Sequence, residues 1–136
     1  MSGYLHIVCL PYHLLVDARH VWEVLESEVA DARNIHGCCL WHDKSVRVLD
    51  LRITLGETAP PLPHGGLVYA ESETDGIMLL CDKVLGLVQV DDSDFSNLPH
   101  SIGQIANLVD AAVPDATTGQ LLFHLKMARF FAATSG

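Results

Sequence analysis

The sequence predicts a mainly β protein with one to three short helices. Short runs of β-branched and aromatic residues recur along the chain, and Pro, Gly and Asp clusters punctuate them at regular intervals. Helical spacing is confined to a few brief stretches. Strands of this length and spacing favour a barrel or a sandwich.

Each element follows from its own residues. Tyr4 to Leu10 (YLHIVCL) is rich in β-formers and bounded by Pro11, which reads as a first strand. From Asp17 to Ala32 the reading is open: Ala18, Val21, Trp22, Leu25 and Val29 recur at helical spacing, whereas the crowding of β-branched and aromatic residues at 21–25 suits a short helix running into a strand. Gly37 to Trp41, the turn His42-Asp43-Lys44, and Ser45 to Thr54 read as a hairpin. The segment Ala59-Pro60-Pro61-Leu62-Pro63-His64-Gly65-Gly66 is the clearest linker, because Pro removes backbone donors and Gly frees the chain. Beyond it, Leu67 to Glu71 and Gly76 to Cys81 form a second antiparallel pair, and Lys83 to Val90 continues as a strand with a bulge or close approach at Gly86. Asp91 to Asp94 is an acidic turn, His100 to Thr118 carries no clear signal, Gln120 to Leu125 is a closing strand and Lys126 to Ala132 a terminal helix.

Charge and hydropathy narrow the function classes. Eight Lys and Arg stand against 17 Asp and Glu, a net charge of -9, and the segment after Gly56 carries most of the acidic excess. Such a chain lacks the electrostatic footprint of a nucleic-acid binder, and an anionic membrane surface repels it. No uncharged apolar run is long enough to span a bilayer, and residues 1–4 lack the basic-then-apolar pattern of a signal peptide, so a cytoplasmic location without membrane insertion is expected. With 49% apolar residues, the chain has more apolar character than one small core needs, which points to burial against partners.

Chemistry is sparse. Nucleophile elbows, Walker loops, dinucleotide fingerprints and HExxH are all absent, so neither an enzyme nor a bound cofactor is expected. His36, Cys38 and His42 form one loose group that could serve a small metal-binding or metal-sensing protein, but structural zinc sites pair their ligands twice over. Scattered surface histidines are the simpler reading. Cys9, Cys38, Cys39 and Cys81 read as small buried hydrophobes, with a reactive thiol at Cys38 or Cys39 as the weaker alternative. Asp50 and Arg52 share one side of a strand and suit a structural ion pair.

Val48-Leu49-Asp50-Leu51-Arg52 followed by Leu55-Gly56 resembles the CheW family of bacterial chemotaxis adaptors, and Gly37 to Gly56 follows that family's spacing without a gap. Leu79 to Val88, with Asp82 in its Val-Asp-x-Val-like segment, resembles a second family block that runs on to Leu98-Pro99. Tyr4 to Glu26, with Val21-Trp22-Glu23-Val24-Leu25, and Gln120 to Phe130 resemble the family's opening and closing segments. The resemblance implies one CheW-like domain over residues 1–136, built as two intertwined five-stranded SH3-like β-barrels. One barrel would come largely from about residues 37–100, the other from the N- and C-terminal segments.

The same resemblance implies a non-enzymatic adaptor that couples the hairpin tips of methyl-accepting receptors to the regulatory domain of a CheA-type histidine kinase, at arrays on the inner membrane face. Carried over by position, Val21, Glu23, Val84 and Leu87 are partner-contact residues, and Gly37, Asp50, Arg52, Asp82 and Gly86 are structural. Where the family has Asn-Leu-Arg-Gly, this chain has Leu40-Trp41-His42-Asp43, which places His42 at the position of a receptor-contacting arginine. Histidine lacks the bidentate fork of arginine and is fully charged only below its ordinary pKa.

Overall fold

The computed structural model of the chain describes residues 2–9, 11–25, 34–35, 38–41, 44–51, 66–72, 76–98, 105 and 107–132. Eleven strands and one α-helix are assigned among them. The strands are β1 (Ser2–Cys9), β2 (Tyr12–Asp17), β3 (Val21–Leu25), β4 (Asn34–Ile35), β5 (Cys38–Trp41), β6 (Lys44–Asp50), β7 (Gly66–Glu71), β8 (Gly76–Cys81), β9 (Lys83–Val90), β10 (Val109–Pro114) and β11 (Leu121–Leu125), and the helix is α1 (Met127–Ala132). Short 3-10 turns span Ala18–His20 and Asp92–Asp94.

The strands form two sheets. One has five strands in the order β10-β11-β2-β1-β9, and the other six in the order β3-β7-β8-β6-β5-β4. Both chain ends therefore contribute to the first sheet, which also takes β9 from the middle of the chain. Within it β2 pairs parallel with β11, and in the second sheet β6 pairs parallel with β8; the other pairings are antiparallel.

Burial explains why β1 and β8 read as largely apolar runs and not as alternating strands, and why the centre of β2 is apolar on both faces. Leu5, Ile7, Cys9, Leu14, Val16, Ile77, Leu79 and Cys81 meet in one central core, shared by the two sheets and closed by Phe130 and Phe131 of α1. Residues of opposite parity bury on the far faces. Tyr4 and Leu15 pack with Val113 and Leu122 on the five-stranded sheet, and Met78 and Leu80 pack with Val46 and Tyr69 on the six-stranded one. A strand buried on both faces loses the period-2 signal that one wet face would impose.

The five-stranded sheet also curls. The chain leaving β9 returns to its opposite edge, where Ser96 and Ala112 of β10 exchange backbone hydrogen bonds of 2.8 and 3.1 Å. That contact is one isolated bridge, and among the described residues neither sheet closes into the barrel that the sequence reading expected.

Three further expectations can be compared with the structure. The open reading at 17–32 resolves into the Ala18–His20 turn followed by β3, which runs antiparallel to β7; residues 26–33 lie outside the described ones. The hairpin expected from Gly37 to Thr54 appears as β5 and β6, with β6 ending at Asp50. Three strands had no sequence assignment: β2, which forms a tight hairpin with β1 across Pro11, the two-residue β4, and β10, inside the stretch that gave no clear signal.

Candidate functional site

The features most suggestive of partner contact lie on the outer edge strands of the two sheets. On β9, Lys83, Leu85, Leu87 and Gln89 face outward, while Val84 packs against the central core and Val88 and Val90 against the outer cluster. Leu85 is 54% exposed and Leu87 70%. Edge strands are ordinarily protected from pairing with other chains by charge, proline or brevity, and two neighbouring leucines offer none of these.

A bulge explains how Leu85 is presented. Against β1, Gly86 pairs with His6 and Val84 with Ile7, so two consecutive residues of β1 face three of β9 and Leu85 is the extra one. Gly86 sits at φ +115°, a conformation that L side chains rarely adopt, which is why glycine occupies that position.

The same device appears at the edge of the other sheet. Along β3, Val21 pairs with Ala70 and Glu23 with the adjacent Tyr69, leaving Trp22 as the unpaired residue. Trp22 is 68% exposed, and Val24 and Glu23 beside it are also exposed. Each outer edge thus carries a bulge whose extra residue is a large apolar side chain in water. Tryptophan in particular tends to anchor protein interfaces.

The residues singled out from sequence take different places. Glu23 and Leu87 are exposed, whereas Val21 and Val84 are half-buried and lean on the central core. Val21 and Glu23 lie on the edge of the six-stranded sheet, and Val84 and Leu87 on the edge of the five-stranded one. Asp50 ends β6, and Asp82 joins β8 to β9, its backbone N–H donating to the Val8 carbonyl at 2.9 Å. His36, Gly37, His42 and Arg52 lie outside the described residues.

Sequence reasoning passed over Trp22 and Leu85. Trp22 fits a helical stripe as well as a strand, which hid it. The signal for Leu85 was present in Gly86, since a glycine inside a strand marks a bulge and the residue beside it is the one displaced.

Among the described residues no group of three or more His, Cys, Asp or Glu side chains is placed to hold a metal ion. Cys38 pairs with Arg47 across β5 and β6, and His36 and His42, with which it was grouped, lie outside the described residues. Cys9 and Cys81 are buried, and burial, followed by the neighbouring Cys81, pushes the Cys9 thiol far above its ordinary pKa. A thiol held protonated in that way is a poor nucleophile and a poor metal ligand. No helix among the described residues is long and apolar enough to cross a membrane.

The sequence matches no family model and no curated protein. The structure is similar to the crystal structure of scaffolding protein TtCheW from Thermoanaerobacter tengcongensis, with a TM-score of 0.74 over 92% of this chain and 88% of that one, at 15% sequence identity. Backbone agreement of that extent at so low an identity is a likeness of fold, and it agrees with the motif order read from the sequence. The chain is a divergent polypeptide with the fold of a CheW scaffolding protein.

Proposed function

We propose that this chain is a chemotaxis-type adaptor without catalytic activity, which couples methyl-accepting receptors to a CheA-type histidine kinase. The observation that carries the reading is the pair of bulged edge strands, each exposing a large apolar residue, on a fold shared with a scaffolding protein. Exposed apolar area of this kind gains roughly 25 cal/mol for each Å² covered by a partner. Leu85 and Leu87 would take the kinase regulatory domain against the β9 edge, by strand addition or side-chain packing. The β3 edge, with Trp22 and Glu23, would take the receptor's helical hairpin tip; His42 stands in the sequence at the place of the family's arginine and would make its own receptor contact. Such contacts would hold the protein in the cytoplasm at receptor arrays.

Reconstitution tests the coupling. Receptor-bearing vesicles and a CheA-type kinase from the same genome should show receptor-stimulated autophosphorylation only when this protein is added. A kinase equally active with and without it would remove the proposal.

A further inference from the structure

Where the two sheets meet, a cavity of about 780 Å³ opens between the Ala18–His20 turn, Ser72 at the end of β7, β10, β11 and α1. Its volume falls in the range of small-molecule sites. Met127 and Phe131, both buried, supply an apolar wall, and the His20 ring stacks edge-on to Phe131 at 5.5 Å between centroids.

The charge lining this cavity is opposite to that of the molecule. The chain has only eight Lys and Arg in a net charge of -9. Three of them, Arg19, Lys126 and Arg129, line this one space, and among the described residues none of the three enters a salt bridge. Arg19 and Arg129 are exposed and Lys126 is half-buried, so all three can reach a ligand.

The carboxylates nearby are already engaged. His124 binds Asp17 through Nε2 at 3.0 Å and Asp110 through Nδ1 at 2.7 Å. The hydrogen bond to Asp17, then that to Asp110, outweigh burial and raise the imidazole pKa to about 9, so it is cationic at neutral pH. Arg19 adds a smaller attraction to Asp17. The His124 cation offsets much of the two aspartate charges, and the cavity stays net positive. Arg19, Lys126 and Arg129 outnumber the two carboxylates that share the cavity, and an anion placed among them relieves their mutual repulsion.

We propose that this cavity binds a small oxyanion, a phosphate- or carboxylate-bearing compound, through Arg19, Lys126 and Arg129, with its apolar part against Met127 and Phe131. Arginine's planar fork suits such oxygens because it donates two parallel hydrogen bonds. The site is independent of the adaptor role and would stand if that role failed.

Titration of the full chain with pyrophosphate and with citrate, followed by amide NMR at physiological salt, tests it. Either probe should give saturable shifts at Arg19, Ser72, Lys126 and Arg129, and the stronger probe identifies the preferred oxyanion. The double variant Arg19→Gln with Arg129→Gln should bind at least tenfold more weakly with an unchanged melting temperature, since both side chains are exposed. Linear, non-saturating shifts with both probes, or equal affinity in the double variant, would overturn the assignment.

Discussion

His124 Nε2 lies 3.0 Å from Asp17 Oδ1, joining β11 to the end of β2 across 107 residues of sequence. Asp110 holds the other ring nitrogen, and Tyr4 and Phe95 meet the ring edge-on with centroids 5.6 and 5.9 Å away. The imidazolium is thus a clamp between strands from the two ends of the chain.

That clamp gives stability a basic limit. The folded pKa of His124 is raised to about 9 from an ordinary 6.5, chiefly by its hydrogen bond to Asp17, and the Asp17 carboxyl is correspondingly lowered by His124. A raised histidine pKa contributes stability that is complete below 6.5 and is lost as pH climbs through about 9. Discounted for solvent screening of a partly exposed ring, the amount is on the order of 1–2 kcal/mol. Melting curves should show the wild type losing stability across that window, and His124→Gln should start lower and show a flatter slope. Parallel slopes would mean that the imidazole carries no net charge in the fold.

A second histidine pair works in the opposite direction. His6 Nε2 lies 2.9 Å from His13 Nδ1, and His6 is only 6% exposed. Burial, then the charge of His13, lowers the His6 pKa, while Asp115 opposes them weakly. A lowered histidine pKa means that the fold holds the neutral ring, so stability is full above 6.5 and falls as pH drops below that value toward the folded pKa. Melting temperature should therefore decline on acidification below neutrality, and His6→Phe, which keeps an aromatic ring that cannot be protonated, should remove most of that decline.

The β9 strand separates core-facing from solvent-facing side chains at adjacent parities. Val84 leans on the central core and Leu87 stands in water. Val84→Asp should destabilise the fold by about 1–3 kcal/mol, because a carboxylate is forced against apolar neighbours. Leu87→Asp should leave the melting temperature within about a degree, since exposed substitutions change stability little. Chemical denaturation of the two variants gives the comparison directly, and equal losses would place Leu87 in a packed environment.

Gly86 should tolerate no side chain without strain, although nothing lies within 4 Å of where a Cβ would stand. The obstacle is the backbone at φ +115°, so Gly86→Ala should lose about 1–3 kcal/mol with no steric clash to relieve. An Ala variant as stable as the wild type would show that the bulge can move.

Much of this was legible in the sequence for a physical reason. The strands with their own turn punctuation, β5 to β9 and β11, announce themselves through Gly, Pro and Asp at their ends. β2 did not, because it follows β1 after a short turn at Pro11 and its three central residues are all buried. β10 did not, because its small residues Ala111 and Ala112 carry little strand preference, and it is held in place by pairing with β11 and Ser96. The exposed edge residues were half legible. Leu87 and Glu23 stand outward as carried over from the resemblance, yet the most exposed aromatic, Trp22, emerges only once the register of β3 on β7 is known. The His124 clamp and the basic cavity were invisible, since their members come from segments brought together only by the fold.

The central claim is that the exposed edges are docking surfaces for a kinase regulatory domain and a receptor tip. Isothermal titration of the full chain with the regulatory domain of a CheA-type kinase from the same genome tests it most directly. The account predicts saturable one-to-one binding with a Kd of about 10 µM or tighter, weakened at least tenfold by Leu87→Asp at unchanged melting temperature. Absence of binding at protein concentrations well above that value, or full binding by the variant, would contradict it.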